Sequence, residues 1–191
     1  MLISYQVQYL LFMNLVPKTH PVLRQQALAV NPFAPDVRAA IRGMAALLKK
    51  TRGVGLAAPQ VGLPWAIFLT DVPNNAGGPS CLRINGKSVA LSSCRPLAFL
   101  NPKVEAFGAI SQGQEGCLSL PDVRFISVPR YECVKVEFTA LDGRAMLLEA
   151  SGFFARVVQH EFDHLRGTLI TDYPQVESMA TSISCEMSRV S

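Results

Sequence analysis

Charge is scarce in this sequence. Asp, Glu, Lys and Arg together make up 17% of its 191 residues, against roughly 25% in an average globular chain. Apolar residues reach 49%. That balance excludes intrinsic disorder, which needs low hydrophobicity and high net charge. The net charge is only +4, from 18 basic and 14 acidic side chains. So small an excess does not make the clustered basic face of a nucleic-acid binder. Histidine is scarcer still, at three residues, so any pattern that uses two of them stands out.

Low charge raises the question of a membrane. The longest uncharged stretches are Met1–Pro17 and Gly53–Thr70. The second contains Gly53, Gly55, Pro59, Gly62 and Pro64, too many breakers for a spanning helix. The first is interrupted by Ser4, Gln6, Gln8 and Asn14 and has no positive segment before its apolar part. It reads as N-terminal chain packed on the domain rather than as a targeting signal. No membrane association is expected.

The sequence also lacks a CxxC pair, and its five cysteines are an odd number. With no secretion signal, free thiols in a reducing compartment are the expectation, in preference to a Cys81–Cys94 redox pair. The cytoplasm is the default location, with mitochondrion or plastid as the alternative if a transit peptide has been removed. At ~100–200 residues per domain, residues 1–191 are expected to form one catalytic domain.

Hydrophobic spacing predicts a helix over Asp36–Lys50, stopped by Gly53. Short strand-like runs follow at Trp65–Leu69, Leu97–Val104, Ala106–Gln112, Val123–Val128 and Tyr131–Leu141. Asp142-Gly143 predicts a hairpin turn into Ala145–Glu149. Between them, Asp71–Pro96 is polar and turn-rich and reads as a surface excursion with a weak hairpin at Asn85-Gly86. Phe153–Leu165 has a second helical pattern, with Ser151 as N-cap and Gly167 past its end. The expected class is α+β. Mixed or antiparallel sheets would surround a central helix bearing the HExxH motif, with another helix N-terminal to them.

The sharpest chemical signal lies in that last helix, at His160-Glu161-Phe162-Asp163-His164. Histidines at i and i+4 share one face, so both rings reach one metal ion. The Glu beside the first His is placed to take a proton from water. The alternative is an ordinary polar helix surface. A catalytic site needs a third protein ligand. The long HExxHxxGxxH pattern fails, because Ile170 stands where its third His belongs. Glu177 or Glu186 in the tail, or Cys117 in Glu115-Gly116-Cys117-Leu118-Ser119, are the candidates left. Spacing alone does not choose between Cys117 as ligand and Cys117 as a small buried hydrophobe.

A third segment, Gly53-Val54-Gly55-Leu56-Ala57-Ala58-Pro59-Gln60, is apolar except for one amide. Small residues allow close approach of a substrate. Gln60 either donates to a developing oxyanion or merely caps the local backbone.

In order, the three segments match the motifs GxGLAAxQ, EGCLS and HExDH, and the chain from about Pro17 to Asp172 resembles the peptide deformylases. The resemblance implies one divalent metal on Cys117, His160 and His164. Fe(II) would be native, with Zn, Ni or Co as substitutes. Glu161 would be the general base. The Gln60 amide and the Leu118 N–H would stabilise the oxyanion. Val54, Gly55, Glu115, Gly116 and Val157 would bind substrate, a nascent peptide beginning with N-formyl-methionine. Such a substrate implies transient proximity to the ribosome. The tail after Asp172, with only Glu177, Glu186 and Arg189 charged, offers no basic helix for docking on ribosomal RNA. Arg156 departs from the family's apolar methionine pocket and is expected to point to solvent or to line the rim with its stem. Arg124 and Arg130 are expected to pair with surface acids rather than with a peptide carboxylate.

Overall fold

A computed structural model describes residues 13–74, 76 and 80–174. Met1–Phe12 and the tail containing Glu177, Cys185 and Glu186 lie outside the described residues.

Helix α1 runs from Pro35 to Thr51. Proline is tolerated in the first turn because its missing N–H has no partner there. Asp36 at that end and Lys49 and Lys50 at the other oppose the helix dipole. Val37, Ala40, Ile41, Met44, Leu47 and Leu48 form its buried stripe. Arg52 closes the helix in a left-handed conformation, φ 55°, and gives its N–H to Leu48 and Lys49. The predicted stop, Gly53, comes one residue later.

Seven strands form one sheet. They are β1 (Gly55–Ala57), β2 (Ile67–Thr70), β3 (Leu82–Ile84), β4 (Lys87–Ser88), β5 (Leu97–Glu115), β6 (Ile126–Thr139) and β7 (Ala145–Ser151). Their spatial order is β1-β2-β5-β6-β7-β3-β4, and every pairing among them is antiparallel. The expectation of a mixed or antiparallel sheet therefore resolves to the antiparallel form.

Two pairs of predicted short strands fuse into the long strands β5 and β6. Irregularities near Asn101 (φ 51°) and Gly108 (φ 90°) bend β5 without ending it. Pro129 does not break β6, because β7 pairs with β6 only from Cys133 to Thr139. At Pro129 the strand has a neighbour on one side, where a missing N–H costs nothing. The excursion after Asp71 is less peripheral than expected. Its β3–β4 hairpin turns at Asn85-Gly86, both with positive φ, and β3 extends the sheet by pairing with β7.

Helix α2 spans Gly152–Leu165. Ser151 takes the cap position without a side-chain capping bond. Its hydroxyl accepts from Cys81 instead, and the Ser80 hydroxyl receives the Phe154 N–H. Gly167, φ 74°, follows the helix end.

Strand β2 is buried on both faces, which explains its continuous apolar run. Ile67 and Leu69 join the α1 stripe in one core cluster. Phe68 points the other way, into a cluster with Phe99, Phe138, Leu148, Phe154 and Val158. The rings of Phe68 and Phe99 stack at 4.5 Å. Gln159 fixes α2 to the sheet. Its amide accepts from the Tyr131 N–H at 3.0 Å and donates to the Tyr131 carbonyl at 2.8 Å, as another strand would. No helix among the described residues is long and apolar enough to cross a membrane.

Candidate active site

The buried face of α2 carries the motif's functional side chains into the molecule. His160 and His164 lie one turn apart with ring centroids at 5.2 Å. Cys117 comes to them from the turn after β5. Its Sγ is 3.3 Å from His164 Nε2, and donor atoms of Cys117, His160 and His164 all lie within 4.8 Å of one another. A tetrahedral ion with bonds of about 2.0 and 2.3 Å to N and S sets its donors about 3.5 Å apart. The three residues therefore fit a metal ion in spacing and in donor chemistry.

The two rings stand in different surroundings. Burial holds His164 well below its ordinary pKa, with His160 and Arg130 adding to the effect, so its imidazole is neutral. Burial also opposes charge on His160, but the acceptors Cys117 and Glu115 outweigh it and raise the group to about 10. Glu115 Oε2 lies 2.9 Å from His160 Nδ1. That contact leaves Nε2 for a metal and orients the ring.

Glu115 is itself held hard. The Arg130 guanidinium meets both its oxygens at 3.0 Å, and Arg156 adds a bond at 2.9 Å. Burial acts to raise the Glu115 pKa, yet His160 and Arg130 pull it down to about 2. Arg130 also bonds Asp163 and the Tyr173 hydroxyl, which in turn donates to Asp163 at 2.8 Å. Arg130 thus pairs with buried acids, not the expected surface ones. Arg156 is likewise corrected. It does line the cleft, one of the two alternatives, but its guanidinium does not run to solvent and folds inward to the carbonyls of Val128 and Ser111. Gly113 makes the space, because a Cβ there would sit 2.5 Å from Arg156 Cζ.

Glu161 is 3% exposed, and its Oε2 has no hydrogen-bond partner among the described residues. Burial pushes its carboxyl up to about 7. Gly55 packs directly on this group, and a Cβ there would fall 2.1 Å from Oε1. Gln60 caps the local backbone, the second of its two anticipated roles. Its Oε1 accepts from the Ala57 N–H at 2.8 Å. Its Nε2 is thereby aimed at Ser119 Oγ (3.3 Å) and Cys117 Sγ (3.7 Å), both long contacts. The Leu118 N–H has no partner among the described residues.

A cleft of about 820 Å³ opens over these groups. Val54, Gly55, Glu115, Gly116 and Val157 all line it, as do Gln60, Cys117, Leu118, His160 and Glu161. Sequence reasoning missed Ser119, Gln159, Asp163 and Tyr173. Asp163 lay inside the quoted motif, but nothing local signals its partners.

Residues 12–179 match the family model described as polypeptide deformylase. The chain belongs to the polypeptide deformylase family. A peptide deformylase of Methylacidiphilum infernorum is 36% identical over 167 residues, 87% of each chain. Peptide deformylase 2 of Vibrio vulnificus is 40% identical over 163 residues, 84% of this chain and 86% of that one. Among solved structures, the Thermotoga maritima deformylase superposes with a TM-score of 0.71 at 33% identity. The match covers 87% of this chain and 98% of that one. A class I type b deformylase of Acinetobacter baumannii, solved with Met-Ala-Ser bound, gives 0.70 at 28% identity over 84% and 96% of the two chains.

Proposed function

We propose that this chain removes the formyl group from formyl-methionine at the amino terminus of newly made polypeptides, releasing formate. One catalytic domain over residues 1–191, built around the motif-bearing helix α2, performs the reaction. The observation that carries this reading is the convergence of Cys117, His160 and His164 beside a buried, unpartnered Glu161 oxygen.

Cys117, His160 and His164 would hold one divalent ion, Fe(II) in the native protein, with Zn, Ni or Co able to substitute. Once bound, such an ion supplies Lewis acidity and makes water nucleophilic near neutral pH. Cys117 completes the ligand set, so a metallopeptidase site closed by a tail Glu is not needed.

The remaining steps belong to the protein. Glu161 accepts the proton of the attacking water at its free Oε2. A carboxyl raised to about 7 can both take a proton and return it to the leaving amine. Gln60 Nε2 and the Leu118 N–H donate to the carbonyl oxygen as charge develops on it. Glu115 positions His160 through Nδ1.

Strand β1 lies at an edge of the sheet, where Val54 and Gly55 face the cleft beside Gly116. An extended peptide can pair there as an added strand. Val157 offers apolar wall for the methionine side chain. The Met-Ala-Ser tripeptide bound to the Acinetobacter baumannii relative supports a methionine-first peptide as occupant. The substrate brings the enzyme near the ribosome, in the cytoplasm or in an organelle that makes formylated chains.

The test is formate release from a formyl-methionyl peptide by anaerobically iron-loaded protein. Release with one metal per chain is expected. A metal-loaded protein that releases none overturns the reading. A second expectation concerns Gly55→Ala. The added methyl must displace Glu161 or β1, and a displacement of about 1 Å lowers rate by about 100-fold. Activity within twofold of the parent, with metal content equal, would show that Glu161 does not depend on Gly55.

A further inference from the structure

The charges on the cleft are unevenly spent. Two acids line it, Glu115 and Glu161, and both are buried. Glu115 is committed to Arg130, Arg156 and His160. The exposed charges on the lining are Arg52 and Arg124. They lie on two of the chain segments that wall the cleft, Thr51–Gly55 and Gln114–Phe125.

Neither arginine has an ion-pair partner among the described residues. Asp122, two residues before Arg124, is held by Lys18 at 2.9 Å. Beside Arg52 in the chain stand Lys49 and Lys50, both exposed. Arg52 also keeps a left-handed backbone at φ 55°, a conformation that long side chains rarely adopt. Gly53 follows immediately. The chain thus places a cation at the helix-closing position and the glycine one residue later. Strained non-glycine residues of this kind gather at sites that use them.

We propose that Arg52 and Arg124 select among nascent chains. They favour substrates with Asp or Glu at the second or third position and disfavour Lys or Arg there. This rests on the deformylase reading of the same cleft. An added strand alternates its side chains, so the second residue turns away from the methionine pocket toward one wall of the cleft and the third turns back toward the other. Arg52 and Arg124 are the exposed charges on that lining, and Glu115 and Asp122 are already held by Arg130 and Lys18.

The test compares kcat/KM by formate release for formyl-Met-X-Ser and formyl-Met-Ala-X peptides, with X as Glu, Gln or Lys, on metal-loaded protein. At low salt Glu should exceed Gln about threefold and Lys about tenfold in at least one series, the range of exposed ion pairs. Raising salt to about 0.5 M should shrink both ratios. Arg52→Gln and Arg124→Gln are read only through the Glu-to-Lys ratio, so any change in overall rate does not enter. Each should lower the ratio, and the double charge reversal Arg52→Glu with Arg124→Glu should invert it.

Equal rates for the three peptides in both series overturn the proposal, as does a ratio that survives the reversal. Equal rates together with weaker binding of the variants to a ribosomal RNA fragment would assign the arginines to nucleic acid, which also overturns it. Failure to release formate from every peptide would instead remove the deformylase reading.

Discussion

Glu161→Gln is expected to keep its metal and lose about three orders of magnitude in kcat, the middle of the range for a missing general base. Glutamine preserves the shape of a side chain that is 3% exposed and packed against Gly55. It also preserves one acceptor oxygen. What it removes is the capacity to gain and return a proton, and with Oε2 unpartnered no hydrogen bond among the described residues is lost at that atom. A thousandfold loss corresponds to about 4 kcal/mol in the barrier. Cys117, His160 and His164 are untouched, so metal per chain should equal that of the parent. Formate release within tenfold of the parent, at equal metal content, would show that another group carries the proton.

Arg130→Met should produce the largest loss of stability. Arg130 is 4% exposed and is shared by Glu115 and Asp163, both buried. The two acids pull its pKa above the ordinary arginine value against the effect of burial. Methionine fills similar volume but leaves Asp163 without its arginine and Glu115 with only Arg156 and His160. Breaking a buried pair in this way costs about 3–5 kcal/mol. Arg130→Lys should fall between, because an ammonium keeps the charge but not the bidentate fork. Urea unfolding of the metal-free proteins measures the difference, and a methionine variant within 1 kcal/mol of the parent would contradict it. Metal affinity should drop in the same variant. Glu115 then loses the group that braces it against His160.

The candidate site was legible where its chemistry is local. Two histidines a helical turn apart announce a shared ligand by spacing alone, and the Glu between them needs no further context. Cys117 was legible only as an option from spacing, because its distance from His164 is set by the turn after β5. The Arg130 anchor was not legible. Its partners stand 15, 33 and 43 residues away in sequence, and an arginine before an aromatic has no pattern that separates burial from exposure. Arg156 misled for a related reason. Its position on α2 suggests solvent, but the gap above Gly113 draws the guanidinium inward. In the fold, both helices were legible from period. The length of β5 was not, because its bulges scramble the alternation that marks a continuous strand. The low overall charge is consistent with this economy, since several of the acids and bases near the site are paired inside it.

Strand β1 carries one more consequence. An exposed sheet edge invites other chains to pair with it, and long edges lead to association between molecules. This edge is only three residues long. Proline follows it at position 59, inside a tight turn that leads away from the strand. Such a stub gives a neighbouring sheet too little length to zip against. It also gives a loop within a folded protein little room, because a loop must continue in both directions. A chain end meets neither restriction. A three-residue edge of this kind suits the end of a chain better than the middle of one.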